Sequence, residues 1–597
     1  MTVGNDLLDG LDAQQREVAE CLRGPVAVLA GAGTGKTRTL THRIAHGVRV
    51  GAYSPDRVLA VTFTRKAAGE LQTRLRGLGA QGVRAQTFHG AALAQLSYFW
   101  PQVIGGSAPK VIGGKVPVIS QAVESLGMRL PGETLRDLAA EIEWRKVSML
   151  GLDSYAELVT AEHEGRPVPT GVTPEQLLEV HERYDSLLAE RKQIDFEDVL
   201  ILTTGMLETE PRVTVQVRER YRFFTVDEFQ DVSPLQHALM RVWLGDRDDL
   251  CVVGDASQTI YSFAGASSSY LLRFGNEYPH ARTFRLEHNY RSEEPIVRIA
   301  NRLMADQPGA LTLRAMRHAA EPQQAPDDAS TMASASSGYS VQSAPHHAQS
   351  APPAPPVRVE WFANDRDEAL AVAESIRESI IAGVPASEIA VLYRANAQSA
   401  VIESELQRLG VSARVQGAQR FFDRADVRQA VMLIRGQAKA FDARPLAHIV
   451  GDVLRAVGFT ARAPEGGAAR ERWDALNAIL ALAESQPAGT TMEVFSEELL
   501  QRSRAGHEPT VDAVTLSAIH SAKGLEWGLV HVIGMSEGLL PSAYAEDDVA
   551  IDEERRLAYV AFTRAKDELR LSGSAGVGRT ERQPSRFIHE VGLSFGA

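Results

Sequence analysis

Cysteine is almost absent: Cys21 and Cys251 are the only two in 597 residues. Two cannot build a disulfide framework, and they leave no cluster for a zinc site. Cys251 sits in the apolar run LCVV and reads as a core residue. No apolar run is long enough to span a bilayer, and the polar, acidic opening MTVGNDLLDG does not resemble a secretory signal. These absences predict a cytoplasmic protein. Basic excess is missing too. There are 63 Lys and Arg against 76 Asp and Glu, and the net charge of −13 argues against indiscriminate coating of duplex nucleic acid. Local charge decides phosphate binding, so a narrow groove that holds single strands by stacking stays open. Between Arg314 and Pro356 there is no Leu, Ile, Phe or Trp. That Ala-, Ser-, Pro-, Gln- and His-rich stretch cannot bury enough apolar surface to offset its ordering entropy, so disorder is expected. His346 and His347 within it read as solvent-exposed rather than metal-binding.

What is present is an ordinary globular composition, 44% hydrophobic and 23% charged, long enough for several domains. Two motifs stand out against it. AGAGTGKT runs from Ala30 to Thr37 and VDEFQD from Val226 to Asp231, each after a short apolar run, VAVLA and FFTV. The first has the form of a P-loop. Its glycines let backbone N–H groups close around phosphates, Lys36 reaches the β and γ oxygens, and Thr37 offers a hydroxyl to Mg²⁺. Ala30 stands where the strict pattern has glycine. In the second motif Asp227 can hold Mg²⁺ while Glu228 polarises the attacking water. Two such motifs, in order on strand ends, predict hydrolysis of a nucleoside triphosphate.

Further strand-like runs are VLAVTF at Val58, LCVVG at Leu250, VRVEWF at Val357, IAVLY at Ile389, VTLSAI at Val514 and LVHVIG at Leu529. Helix-like stretches separate them, the alternation expected of parallel α/β sheets. Residues 91–194 and 397–510 break that pattern and read as mainly helical. The simplest architecture is two α/β cores, each interrupted by a helical insertion.

Other motifs accumulate along the chain. They are LDAQQ at Leu11, VTFTRKAAGELQTR at Val61, QTFHG at Gln86, DFEDVL at Asp195 and VVGDASQTIYSFAGA at Val252. LEHNYRS at Leu286, IAVLYRANAQS at Ile389 and QGAQRFFDRADVR at Gln416 follow. LSAIHSAKGLEWGLVHVIGMSEGLLPS at Leu516 and EERRLAYVAFTRA at Glu553 close the series. In this combination the chain resembles the UvrD/Rep/PcrA family of superfamily 1A DNA helicases from Leu11 to about Phe587. The resemblance implies two RecA-like P-loop NTPase cores with parallel sheets. Residues 1–90 and 195–280 would form the first, and 281–396 and 511–597 the second. Insertions at 91–194 and 397–510 and a disordered segment at 315–356 complete the division.

The resemblance also assigns roles. ATP would meet Gln15, which reads adenine, then Ala30, Gly31, Ala32, Gly33, Thr34, Gly35, Lys36, Thr37 and Arg38. Tyr290 would stack on the base and Glu526 would meet the ribose. Catalysis would fall to Lys36, Asp227, Glu228, the γ-phosphate sensor Gln258 and two arginines, Arg291 and Arg564. Mg²⁺ would sit on Thr37 and Asp227. The DNA strand would run over Phe63, Thr64, His89, Phe196, Tyr261, Phe263, Arg394 and His520. The implied activity is ATP-dependent 3′-to-5′ helicase movement on single-stranded DNA in repair or recombination. Expected partners are single-stranded DNA, 3′-tailed duplex and a repair protein, with no membrane and a monomer or weak oligomer. Ala264 replaces the family's arginine before Gly-Ala, and the second insertion is short. In this the chain resembles the second UvrD-type subgroup, without its four-cysteine element and HRDC extension. Translocation is therefore a stronger expectation than efficient unwinding. The alternatives are a translocase that strips proteins from single strands and unwinds only with a partner, and a non-catalytic DNA-binding module.

Overall fold

The computed structural model describes residues 7–161, 166–317, 355–416, 512–576 and 581–595, and most of 422–505. Residues 318–354, most of the stretch expected to be disordered, lie outside the described residues. In chain order the strands are β1 (Val26–Ala30), β2 (Val58–Thr62), β3 (Arg84–Thr87), β4 (Lys110–Val111) and β5 (Gln193–Ile194). Next come β6 (Phe223–Val226), β7 (Leu250–Gly254), β8 (Arg282–Leu286), β9 (His288–Asn289), β10 (Arg314–Ala315) and β11 (Val357–Phe362). The last are β12 (Ile389–Tyr393), β13 (Ala413–Val415), β14 (Val514–Ala518), β15 (Trp527–Val532) and β16 (Ala565–Ser574).

Two six-stranded sheets result, ordered β3-β2-β6-β7-β1-β8 and β11-β16-β15-β12-β14-β13. Every pairing in both is parallel. Central strands such as β2, β7, β12 and β15 are buried along their whole length, because helices cover both faces. Each buried Val, Leu or Ile there stabilises by about 1.5–3 kcal/mol. Parallel order sends all strands of a sheet out at one edge, so the loops after β1, β6 and β7 meet beside one another.

Three boundaries differ from expectation. The segment expected to open the second core at 281 first adds β8 to the first sheet, paired with β1 from Val26↔Arg282 to Ala30↔Leu286. The helix Phe88–Val103 buries Phe88, Ala92 and Leu96 in the first core, so the first insertion starts beyond it rather than at 91. Ser399–Arg408 and β13 belong to the second core, with Ile402 and Leu406 buried there and β13 paired to β14. The second helical body therefore begins near the helix Ala425–Gln437, not at 397. At the start of the expected disordered stretch, β10 pairs with β9 and Arg317 bonds Asp567 through an ion pair. Among the described residues no helix is long and apolar enough to cross a membrane.

Candidate nucleotide cleft and nucleic-acid interface

The loop after β1 is shaped by glycine. Gly33 and Gly35 sit at φ of +70° and +79°, and a Cβ on them would lie 2.7 Å from Asn289 Nδ2 and 2.8 Å from Gln15 Nε2. Gly35 leads directly into the helix Lys36–Arg49, whose first N–H groups face the loop. Ala30 ends β1, Gly31 accepts the Thr34 hydroxyl at 2.9 Å, and Ala32 accepts Asn289 Nδ2 at 2.7 Å. Lys36 Nζ is buried, makes no hydrogen bond among the described residues and lies 3.9 Å from Glu228 Oε1. Arg38 turns away and donates to the Gly10 carbonyl at 2.7 Å.

Opposite the loop lie the carboxylates after β6. Burial, then the adjacent Glu228, push Asp227 up to about 7, and the Thr37 hydroxyl hydrogen-bonds to it. Burial would raise Glu228 as well, but Lys36 and Lys523 outweigh it and hold the group low. Glu228 has a left-handed backbone, φ +55°, which turns its side chain into the cleft. Gln230 ties the motifs together: it donates to Glu228 at 2.6 Å and accepts the Asp255 N–H at 3.0 Å. Gln258, buried, donates to Asp255 Oδ2 at 2.7 Å. An orphaned buried ammonium suits a phosphate oxygen. Oxygen ligands on Thr37 and Asp227 suit a small divalent cation.

The second core closes the cleft. Arg564 is buried and donates to the carbonyls of Val560 at 2.9 Å and Leu525 at 3.1 Å. Burial and then Arg291 bring it down to about 9, with Glu228 acting in the opposite sense across the cleft. Arg291 pairs with Glu526 at 2.7 Å and donates to the Thr563 carbonyl at 3.0 Å. The residue expected at the ribose and one γ-phosphate arginine thus hold each other. Gln15 donates to the Thr34 carbonyl at 3.0 Å. Tyr290, 44% exposed, donates its hydroxyl to Asp12, which also caps the helix Ala13–Glu20 through the Gln15 N–H at 2.7 Å.

Sequence reasoning missed three residues here. Asp12 brings Gln15 and Tyr290 together, and it lies inside the quoted LDAQQ. Lys523 crosses from the second core to pair with Asp231 and to donate to the Gln258 carbonyl at 2.7 Å. Tyr559 accepts the Ala32 N–H at 3.4 Å. Lys523 and Tyr559 also lie inside quoted motifs, so motif membership was the available signal.

The aromatics expected on DNA form a row along the same loops. Phe63 stacks on Tyr261 at 5.2 Å, Tyr261 meets Phe263 at 6.1 Å, and Phe263 meets His520 edge-on at 5.9 Å. Tyr261 also donates to the His520 carbonyl at 3.2 Å, so the row crosses between cores. Phe63 and Phe263 are 38% and 62% exposed, which is unusual for rings of this size. Thr64 caps the helix Arg65–Gly77 through the Ala67 N–H at 3.1 Å. His89 and Phe196 form a second, edge-on pair at 5.7 Å. Burial, then neighbouring cations, depress both His89 and His520 to about 4. Near neutral pH they are uncharged rings. Arg394 forks its guanidinium onto Glu554 at 2.8 and 3.0 Å.

Two parallel α/β cores with a P-loop on one and arginines facing it from the other define a two-core P-loop NTPase. Residues 11–279 match the UvrD/REP helicase N-terminal domain, and 284–462 with 471–575 match the UvrD-like helicase C-terminal domain. The chain is 40% identical over 613 residues to the ATP-dependent DNA helicase UvrD2 of Mycobacterium tuberculosis (strain ATCC 25618 / H37Rv), covering 99% of this chain and 83% of that protein. DNA helicase II of Escherichia coli (strain K12) is 29% identical over 683 residues, covering 98% and 88%. ATP-dependent DNA helicase PcrA of Bacillus subtilis (strain 168) is 26% identical over 682 residues, covering 99% and 86%. The chain belongs to the UvrD-like helicase family.

Proposed function

We propose that this protein is an ATP-dependent DNA helicase that moves 3′ to 5′ along single-stranded DNA, in the cytoplasm, in repair or recombination. One observation carries the reading. Residues read as nucleotide contacts and residues read as strand contacts follow one another within single loops, Gln258 before Tyr261 and Phe263, and His520 before Lys523 and Glu526. A change at the γ-phosphate cannot move one set without the other.

The roles follow from the chemistry of each group. Lys36 and the loop amides bind and orient the triphosphate. Thr37 and Asp227 would hold Mg²⁺, which would supply charge neutralisation to the triphosphate. Glu228 orients water and takes its proton, while Arg291 and Arg564 stabilise charge that develops on the transferred group. Phe63, Tyr261, Phe263, Phe196, His89 and His520 stack on bases without regard to sequence. Arg394, freed from Glu554, would meet a phosphate. Both cores must close on the triphosphate, so hydrolysis relaxes the cleft and shifts the grip.

Strand displacement with 3′- and 5′-tailed duplexes, with Lys36→Ala as control, tests this. Displacement from 3′ tails alone, absent in the control, is the expected result. Displacement only from 5′ tails would overturn the polarity. Ala264, which offers no cation near the end of VVGDASQTIYSFAGA, favours a second reading. In it the chain translocates and displaces bound proteins, and unwinds only with a repair partner. ATP turnover stimulated by single strands without displacement of either duplex would select that reading.

A further inference from the structure

The first helical insertion meets the first core at a buried ionic cluster that neither the cleft nor the aromatic row uses. Lys146 lies in the last turn of the insertion helix Gly132–Val147 and is 6% exposed. Its Nζ is 2.8 Å from Asp198 Oδ1, 2.9 Å from Asp195 Oδ2 and 3.3 Å from Asp185 Oδ1. Tyr184, also from the insertion, donates its hydroxyl to Asp195 Oδ2 at 3.0 Å. Lys115, which leads into the helix Val116–Ser125, pairs with Glu197 at 2.6 Å.

These carboxylates share one turn of a core helix. Asp195 caps the helix Phe196–Thr209, accepting the Asp198 N–H at 2.9 Å, and Asp198 accepts the Asp195 N–H at 3.1 Å. The insertion's two lysines therefore grip that capping box and Glu197 within it. The first residue of the turn is Phe196, 43% exposed, with its ring edge-on to His89. Apolar packing does not do this job alone. A cavity of about 1240 Å³ opens beside the cluster between core and insertion, lined among others by Trp100, Ile104, Met149, Leu150 and Ile201.

We propose that Lys146 is a positioning residue for the single-strand grip: through the Asp195 capping box it sets the direction of the Phe196–His89 ring pair, so the seat of the helical insertion decides whether that pair receives a base. This rests on the reading of Phe196 and His89 as strand contacts. Breaking a buried ion pair leaves uncompensated charge, so the box loosens when the ammonium is removed. An arginine keeps the charge and can keep the box.

The test is a double-mutant cycle on the full chain, read as affinity for a labelled oligo-dT strand. Phe196→Ala should weaken binding about tenfold, within the range of one lost stacking contact. Lys146→Met should weaken it by a similar factor, Lys146→Arg should restore it, and the Lys146→Met/Phe196→Ala pair should bind no more weakly than Phe196→Ala. The KM for ATP without DNA should stay at the wild-type value in Lys146→Met and Lys146→Arg. Additive losses, or an ATP KM that moves with DNA affinity, would overturn the proposal in favour of a general structural role. Unchanged affinity in Phe196→Ala would instead remove the strand-contact reading beneath it. Should Lys146→Met not fold, Asp198→Asn removes the carboxylate charge that Lys146 pairs with, on a near-isosteric side chain, and carries the same cycle. Additivity there overturns the proposal equally.

Discussion

At the nucleotide cleft Asp227, Gln258 and Arg564 are buried, each within a network of fixed partners. A few residues away, Phe63 and Phe263 stand exposed with other rings beside them. The two regions meet different demands. Charge on a transferring phosphoryl group is stabilised best by donors that are already in place in a dry cleft, so ordering there is completed by folding. A strand of any sequence needs flat faces left open, so exposure there fits the proposed grip. Because both regions hang on the same loops, disturbing one while leaving the other intact is the direct way to test the division.

The largest break is expected in the cleft. Lys36→Ala should lower ATP hydrolysis by about 10²–10³-fold or more, the scale for losing one charge-stabilising donor. Glu228→Gln should lose turnover to a similar degree yet still bind ATP, because its part begins after binding. Near-normal turnover in either purified variant would remove the cleft assignment. On the strip, Phe263→Ala should cost about 1–3 kcal/mol of strand affinity while basal ATPase holds. Equal losses in DNA binding and basal ATPase would show that the two regions are one.

Acid sharpens the contrast more mildly. His89 and His520 are held near 4, below the ordinary value of 6.5, so the folded state resists protonation. Their contribution to stability is present above pH 6.5 and is lost as pH falls toward 4. Between pH 6.5 and 5.5 each should cost about 1 kcal/mol. Denaturant midpoints measured across that interval should fall less in a His89→Gln/His520→Gln variant than in the wild type. An identical slope would show that the rings are not shielded. The smallest effect is at Gln15. Gln15→Ala should raise the KM for ATP by about fivefold, the worth of roughly one hydrogen bond, with less effect on GTP. Equal shifts would assign Gln15 to bracing the Thr34 carbonyl, which it already contacts, rather than to reading the base.

Strands β1, β2, β6, β7, β11, β12, β14 and β15 were legible because all but β11 are buried apolar runs, and β11 still alternates Val, Val and Trp. The strands β3, β8 and β13 were not. They lie at sheet edges with half their residues or more in contact with solvent, so their composition carries no apolar signal. The ten-residue β16 reads AKDELRLSGS, polar along its first half, and its place beside β15 becomes clear only in the sheet. Arg394 shows the same limit at a site. Its motif points to DNA, but the buried Glu554 that captures it lies 160 residues away.

The sequence by itself determined the phosphate loop, the paired carboxylates and the alternation that makes two parallel sheets. Each of these is written in neighbouring residues, where glycine frequency, apolar period and charge spacing act directly on the local backbone. Only the tertiary structure decided that Lys523 crosses to Asp231, that Asp12 joins Gln15 to Tyr290, and that two insertion lysines hold the turn bearing Phe196. Those contacts join segments between about 50 and 290 residues apart. Their partners are chosen by which loops the parallel sheets bring to one edge and which helices cover them, and no local pattern encodes that choice.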